Sequence, residues 1–299
     1  MDAYLRIENA LEAALRPTCD HSPPRLARAI HHAVFPGGAR FRPRLCLGVA
    51  RACGDAHPRL ALAAAVAIEF LHCASLIYDD LPCFDDAAVR RGRPSVHAAY
   101  GEELAILAGN ALIVRAFELV GEEVTSAPLH AGLVLAAMAR GVGAPHGITA
   151  GQAWESEPHI DLRAYHRAKT GALFEAAVLT GALAGGGDAR AWRGLGDQLG
   201  EAYQVADDLR DALGRSDLLG KPVGQDAAHG RPSAVDRLGT GGAALRMRGL
   251  LDGVLRAVPR CPGRAQLVDL VAAWAAGLLP PESLPREAVE HRALVASAS

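Results

Sequence analysis

The sequence predicts an all-α protein, and three observations favour that class. Aromatic residues make up only 5% of the 299 residues while Ala and Leu are plentiful, a composition that suits helix packed on helix better than a sheet. Apolar residues recur at helical spacing, with Pro or Gly clusters between the recurrent stretches. No linker is long enough to mark a boundary, so residues 1–299 are interpreted as one domain.

The predicted helices follow one another along the chain. The opening segment is amphipathic and is expected to end before Pro17, because a proline inside a helix removes a backbone hydrogen bond. Pro23 and Pro24 precede a second helix over 26–34, and Gly37 and Gly38 follow its end. No pattern typical of a strand or hairpin is found. The other predicted helices cover 45–53, 60–80, 104–124, 129–140, 162–183, 191–213, 242–258 and 264–279.

Charge and apolar patterning exclude several classes of protein. With 31 basic and 33 acidic residues and a net charge of -2, the chain lacks the excess positive charge of a broad nucleic-acid binder. The six cysteines form no Cys-x-x-Cys pair and are interpreted as reduced thiols. The best candidate for a membrane span, 60–78, contains Glu69 and His72, so no transmembrane segment is expected. We therefore expect a cytoplasmic protein.

Two clusters of aspartates are the most informative feature of the sequence. The first follows directly on the long apolar helix, where four carboxylates occur within eight residues. The second lies on a predicted helix, where positions at i, i+4 and i+7 share one face. The first cluster consists of Asp79, Asp80, Asp85 and Asp86, and the second of Gln204, Asp207, Asp208 and Asp211.

Clustered carboxylates predict a metal site. Like charges one helical turn apart repel each other, and the cost rises next to apolar helices unless cations neutralise them. Mg²⁺ takes oxygen ligands and is usually completed by substrate phosphates. One cluster alone would fit solvated acidic helix ends equally well. Two clusters facing each other would hold a diphosphate through several Mg²⁺ ions.

Basic residues stand where an anion would need them. Arg90 and Arg91 follow the first cluster, and Lys169 with Thr170 precedes the second. Arg suits bidentate phosphate contact, and Lys serves as a point charge. His72 precedes Asp80 by two turns and is assigned to phosphate contact, although a lone helical His is more often a core residue. Further candidates are Gly38, Arg42 and Lys221.

These motifs together resemble the trans-prenyltransferases, or isoprenyl diphosphate synthases. Residues 79–85 match the first Asp-rich motif of that family in its form with two extra residues, and 207–211 match the second. The segments 37–43, 90–95, 151–152, 169–170 and 220–226 also occur in family order, so the resemblance covers about residues 30–235. Within the family, the chain is most similar to the geranylgeranyl diphosphate synthases of bacterial carotenoid and bacteriochlorophyll pathways.

The resemblance implies an isoprenoid synthase helical bundle around a central cavity, usually a homodimer. It also implies head-to-tail condensation of isopentenyl diphosphate with dimethylallyl, geranyl or farnesyl diphosphate, with about three Mg²⁺ ions per site. The implied metal ligands are Asp79, Asp80, Asp85, Asp207, Asp208 and Asp211. The allylic diphosphate would contact Arg90, Lys169, Gln204 and Lys221, and isopentenyl diphosphate would contact Arg42, His72 and Arg91. Gly38 and Thr170 complete the substrate-binding set. The catalytic set is Asp79, Asp80, Asp207, Lys169 and Lys221.

Small residues before the first cluster predict the product length. Ala74 and Ser75 lie about one turn before Asp79, where an aromatic residue would stop chain growth early. The growing tail would then reach Leu71, which favours a twenty-carbon product over fifteen. The alternative is that Ala74 and Ser75 simply permit tight helix packing.

Other functions remain possible at this point. They are a farnesyl diphosphate synthase, a terpene cyclase and a non-catalytic regulatory subunit of a prenyltransferase. Cyclases usually alter the second cluster, which is intact in this sequence. A regulatory subunit is favoured only by Ala39, which stands where much of the family has a Lys for isopentenyl diphosphate.

Overall fold

The computed structural model describes residues 3–35, 37–212 and 233–278, and these form an α-helical bundle. The helices are α1 (Ala3–His21), α2 (Pro24–Val34), α3 (Phe41–Cys53), α4 (Pro58–Asp79), α5 (Val96–Tyr100), α6 (Glu102–Gly121), α7 (Pro128–Val142), α8 (Ile148–Ala153), α9 (Leu162–His166), α10 (Ala172–Ala184), α11 (Arg193–Ala212), α12 (Ala234–Ala257) and α13 (Arg264–Leu278). The predicted all-α class is confirmed, whereas the single domain over residues 1–299 stays a prediction.

Helix α4 forms the centre of the bundle and ends at the first aspartate cluster. It packs against α3, α6 and α10. Its side chains from Leu60 to Ile77 are mostly buried, as expected for a helix that is apolar on all sides. Because α4 is held on several sides, its end at Asp79 has a fixed position.

Helix α1 continues through Pro17 to His21, so the predicted end before Pro17 is wrong. Pro17 has no N–H to donate to the carbonyl of Ala13, four residues earlier. Arg115 of α6 donates its Nε to the carbonyl of Ala14, 3.0 Å away, in the same turn. A donor from a distant helix therefore supports the interrupted segment.

A short β-hairpin follows the first aspartate cluster, where no strand was predicted. Strand β1 (Val89–Arg90) pairs antiparallel with β2 (Arg93–Pro94). The two connecting residues, Arg91 and Gly92, have φ angles of 53° and 73°, as a two-residue hairpin turn of this twist requires. The hairpin thereby presents two consecutive arginines beside the end of α4.

A π-helical turn, Arg167–Gly171, joins α9 to α10 within the predicted helix 162–183. Two glycines of neighbouring helices pack directly against it. A Cβ on Gly151 of α8 would lie 2.3 Å from Lys169 Cα, and one on Gly200 of α11 would lie 2.4 Å from Gly171 Cα. Such π turns occur frequently at functional sites, and this one carries Lys169 and Thr170.

Two helices are long and apolar enough to cross a membrane by length and composition alone. In α4 the apolar window is 72% buried inside the bundle, and in α6 it is 44% buried. Core helices of proteins without membrane spans pass the same test, so this finding carries little weight for either helix.

Candidate active site

A large cavity lies in the bundle, and residues from eight helices line it together with residues of the hairpin and the π turn. Its volume is about 680 Å³, within the usual range for ligand sites. Carboxylates, cations and apolar side chains all line it. Predicted site residues on its wall are Arg42, Leu71, His72, Ala74, Ser75, Asp79, Asp85, Arg90, Lys169, Thr170, Gln204 and Asp207.

Both aspartate clusters reach this one cavity. Asp79 and Asp85 of the first cluster lie on its wall, and so does Asp207 of the second. The remaining predicted ligands do not line it. These are Asp80, Asp208 and Asp211. The shared wall is the arrangement that two cooperating clusters require.

Cations from two other elements hold the first cluster. Arg90 of the hairpin donates Nε to Asp80 Oδ1 at 2.8 Å and Nη2 to Asp79 Oδ2 at 3.3 Å. Lys169 of the π turn places Nζ 3.2 Å from Asp79 Oδ1. Burial raises the pKa of Asp80 above its ordinary value, and the hydrogen bond from Arg90 opposes that rise. The carboxylates are thus neutralised in part by the very cations predicted to bind diphosphate.

A chain of hydrogen bonds connects the second cluster to the π turn. Thr170 Oγ1 donates to Gln204 Oε1 at 2.7 Å, and Gln204 Nε2 donates to Asp208 Oδ1 at 2.9 Å. The other oxygen of Asp208 accepts from the backbone N–H of Ala234, 2.7 Å away, at the start of α12. Asp208 therefore orients Gln204 and anchors the next helix.

Glu155 is a site residue that the sequence reasoning did not select. Its Oε1 pairs with Lys169 Nζ and accepts from the hydroxyl of Tyr165 at 2.7 Å. Gln152 donates to its second oxygen at 3.3 Å. The signal was present, because Glu155 stands shortly after Gly151-Gln152, where an Asp is common in the resembling family. Lys169 is consequently held between Asp79 and Glu155.

A second cationic group faces the cavity from α3 and α4. The guanidinium carbon of Arg42 lies 4.3 Å from the ring centroid of Phe174 and 5.5 Å from that of Tyr203. Its Nη1 is 3.5 Å from Nε2 of His72. Burial, followed by the charges of nearby arginines, lowers the pKa of His72 well below its ordinary value. His72 is therefore neutral at pH 7 and adds no positive charge.

The remaining basic candidates lie in different surroundings. A Cβ on Gly38 would approach Arg91 Nη2 to 3.2 Å, so the predicted Gly38–Arg91 pair is in close contact, off the cavity wall. Arg40 is fully buried and pairs with Glu69 at 2.6 Å and Glu8 at 2.7 Å. It is thus committed to the core and does not replace the Lys missing at Ala39. Lys221 lies outside the described residues.

The apolar part of the cavity contains all three predicted chain-length residues. Leu71, Ala74 and Ser75 line it together with side chains from α6, α7, α8 and α10. Ser75 donates its hydroxyl to the carbonyl of His72 at 2.8 Å, which satisfies its polar group within α4. Phe70 is fully buried in the core and does not narrow the cavity.

The donors on the cavity wall suit magnesium. Within residues 3–35, 37–212 and 233–278, no three acidic, His or Cys side chains are already gathered as a metal site. The wall nevertheless offers carboxylate oxygens from both clusters, the donor type that Mg²⁺ prefers, and leaves room for phosphate oxygens and water. The residues present therefore fit a magnesium–diphosphate group.

The chain belongs to the polyprenyl synthetase family, whose model matches residues 23–237. The matched region includes both aspartate clusters, the hairpin and the π turn. The family predicted from the sequence motifs is thereby confirmed.

Individual relatives show which members of the family the chain is similar to. The chain is 53% identical to the geranylgeranyl diphosphate synthase of Cereibacter sphaeroides, over 94% of this chain and 98% of the relative. It is 50% identical to the geranylgeranyl diphosphate synthase of Rhodobacter capsulatus, over 90% and 94%. A crystal structure of a Helicobacter pylori geranyltransferase, complexed with magnesium and isoprenyl diphosphate, superposes with a TM-score of 0.75 at 28% identity, covering 90% of this chain and 95% of that one. The predicted similarity to bacterial geranylgeranyl diphosphate synthases is confirmed.

Proposed function

We propose that this protein is a magnesium-dependent prenyltransferase that condenses isopentenyl diphosphate with an allylic diphosphate to give geranylgeranyl diphosphate. The allylic substrate is dimethylallyl, geranyl or farnesyl diphosphate. One observation carries the proposal: carboxylates of both aspartate clusters and a set of apolar side chains line a single cavity. Such a cavity suits a substrate with an anionic head and an apolar tail.

The acidic residues would hold the metal. Asp79, Asp85 and Asp207 line the cavity and are assigned as direct ligands. Asp80, Asp208 and Asp211 complete the predicted set, and the first two also orient neighbouring groups. When bound, about three Mg²⁺ ions would supply the positive charge that makes diphosphate a good leaving group.

Basic and polar residues would bind the two substrates, and of the described ones all but Arg91 and Gly38 lie on the same wall. Arg90 and Lys169 both contact Asp79 and lie where the allylic diphosphate would enter, with Thr170 and Gln204 beside them. Preorganised donors of this kind stabilise charge that develops on the leaving group, most strongly where water is excluded. Isopentenyl diphosphate is assigned to Arg42, His72, Arg91 and the backbone at Gly38.

The reaction follows from these placements. The allylic carbon–oxygen bond breaks, leaving an allylic cation and free diphosphate. The double bond of isopentenyl diphosphate attacks the cation and forms the new carbon–carbon bond. The departed diphosphate then takes the proton that restores a double bond. Leu71, Ala74 and the other apolar wall residues keep water from quenching the cation.

Product length would be set by the space beyond Asp79. Ala74 and Ser75 are small and lie on the cavity wall, so a growing tail can pass them toward Leu71. This arrangement supports a twenty-carbon product. The related farnesyl synthase activity would require a block at this level, and neither side chain is large enough to form one.

The proposed enzyme is a homodimer that works in the cytoplasm and supplies carotenoid or bacteriochlorophyll synthesis. The dimer is supported by large apolar side chains exposed on two adjacent helices, since contiguous exposed apolar surface commonly marks an interface. These are Ile106, Leu107 and Val114 of α6 and Leu129 and Leu133 of α7. Sedimentation equilibrium of the wild type and of Leu107→Glu tests this, with a dimer expected only for the wild type.

A product assay tests the reaction. Purified protein is incubated with Mg²⁺, isopentenyl diphosphate and each allylic diphosphate in turn, and the products are separated by chain length. Twenty-carbon product is the expected result. Fifteen-carbon product would indicate a farnesyl diphosphate synthase, and no elongation with any primer would indicate a regulatory subunit.

A further inference from the structure

The C-terminal helix α13 packs lengthwise and antiparallel on α3. At one end, the N–H of Gly263 donates to the carbonyl of Ala52 at 3.3 Å. In the middle, a Cβ on Gly48 would lie only 2.8 Å from a methyl group of Leu270, so this glycine permits the close approach. At the other end, α13 brings Trp274 over Phe41. The packing thus delivers an aromatic side chain next to Arg42.

Trp274 belongs to a cluster of aromatic rings that surrounds the base of Arg42. Its ring stacks on Phe41 with centroids 4.2 Å apart and an interplanar angle of 10°. It also lies 5.9 Å from the Phe174 ring and 6.4 Å from the Tyr203 ring. The guanidinium of Arg42 lies over these last two rings. Trp274 therefore contacts every ring on which the position of Arg42 depends.

Arg42 has few polar contacts to hold it in place. Its Nε is buried without a hydrogen-bond partner in the described part of the chain. The contact of its Nη1 with His72 is long, at 3.5 Å. Its orientation toward the cavity consequently depends on the ring faces, because a cation is attracted to the face of an aromatic ring. A displaced ring would let the guanidinium turn away from an incoming anion.

We propose that Trp274 is a positioning residue that fixes Arg42 for binding isopentenyl diphosphate, acting through Phe174 and Tyr203. This inference rests on the proposed function of Arg42. It gives α13 a role in binding isopentenyl diphosphate. This helix lies beyond residues 23–237, the region matched by the family model. Loss of the ring should affect the isopentenyl site selectively, since the ring contacts of Trp274 in the described part of the chain are with Phe41, Phe174 and Tyr203, the rings around Arg42.

Steady-state kinetics of full-length variants test the proposal. Trp274→Leu keeps an apolar side chain in the packing but removes the aromatic face, and Trp274→Phe keeps an aromatic face. We expect Trp274→Leu to raise KM for isopentenyl diphosphate about tenfold, with KM for the allylic diphosphate and kcat within about twofold. Trp274→Phe should restore most of the affinity. Calorimetric titration with isopentenyl diphosphate checks the same ranking by direct binding.

Leu267→Ala is the matched control. Leu267 is buried on the same helix two turns before Trp274, and its truncation weakens the packing of α13 on α3 beside Gly48 while all the aromatic side chains are retained. We expect a lower melting temperature for this variant and an unchanged KM for isopentenyl diphosphate. Equal KM increases in Leu267→Ala and Trp274→Leu would show that Trp274 acts only through stability, and would overturn the proposal.

Arg42→Met distinguishes an error in the role of Trp274 from an error in the assignment of Arg42 to isopentenyl diphosphate. If it raises KM for isopentenyl diphosphate while Trp274→Leu leaves that KM unchanged, the role of Trp274 is wrong and the proposed function stands. If Arg42→Met leaves that KM unchanged, the assignment of Arg42 is wrong, and the role of Trp274 is overturned with it. A rise in both variants, with rescue by Trp274→Phe, supports the proposal.

Discussion

The two aspartate clusters look alike in the sequence, yet their surroundings differ. The first ends α4, and cationic side chains of the hairpin and the π turn contact Asp79 and Asp80. In the second, within α11, Asp208 accepts hydrogen bonds from the amide of Gln204 and the backbone N–H of Ala234. Spacing alone predicts the same role for every carboxylate. The residues around each carboxylate show whether it faces the cavity or orients another residue.

Loss of a cavity-facing carboxylate from either cluster should have the largest effect. Asp79→Ala and Asp207→Ala each remove an oxygen donor from the wall, and we expect turnover to fall about a thousandfold or more. The fold should persist in Asp79→Ala, because Arg90 and Lys169 retain Asp80 and Glu155 as partners. Single-turnover assays measure the loss, and circular dichroism checks the fold. Near-normal turnover in either variant would remove that residue from the metal site.

Asp208→Asn should have a smaller effect that distinguishes an orienting carboxylate from a direct ligand. The Asn amide has one acceptor oxygen in place of two, so it can accept from Gln204 or from the N–H of Ala234 but not from both, and the orientation of Gln204 and then Thr170 is weakened. Changes in residues that orient a metal site typically cost 10–100-fold, and we expect turnover to fall within about that range. The melting temperature should also fall. A loss as large as that of Asp207→Ala would instead make Asp208 a direct ligand.

Glu155→Gln tests whether the charge of Glu155 holds Lys169 in its position beside Asp79. Removing the charge leaves Asp79 as the carboxylate beside Lys169 in the described structure, so the amine should move away from the position where it meets substrate. We expect KM for the allylic diphosphate to rise about tenfold, the scale of a charge-assisted contact. Glu155→Asp serves as the control with the charge retained. Equal behaviour of the two variants would exclude a role for the charge.

Ala74→Phe should change the product with the smallest effect on turnover. The larger ring fills the apolar wall about one turn before Asp79 and leaves both clusters in place. Product chromatography should show a shift from twenty to fifteen carbons, while consumption of isopentenyl diphosphate continues. Ser75→Ala, which keeps the site small, should leave the product unchanged. An unaltered product in Ala74→Phe would mean that the tail passes elsewhere.

Much of this arrangement could be predicted from the sequence, because apolar periodicity and motif order are local signals. They located α4, α11 and the Asp, Arg and Lys residues on the cavity wall. The continuation of α1 through Pro17 could not be predicted, since the supporting donor, Arg115, is distant in the chain. The π turn and the hairpin likewise depend on neighbouring packing.

The role of Trp274 was beyond sequence reasoning, and that of Glu155 was missed although its place shortly after Gly151-Gln152 was a signal. Each acts through a residue that is distant in the chain or on another helix, Lys169 in one case and Arg42 with its rings in the other. A sequence motif identifies a residue that contacts a ligand. It identifies less readily a second residue that holds the first one in position.

The central claim is that both clusters serve one magnesium–diphosphate site, and a double-mutant cycle tests it most directly. Mg²⁺-dependent binding of inorganic diphosphate is measured by calorimetry for the wild type, Asp79→Ala, Asp207→Ala and the double variant. Residues of one site are coupled, so we predict that each single variant loses most of the affinity and that the double variant loses little more. Independent, additive losses, or full affinity in either single variant, would contradict a shared site.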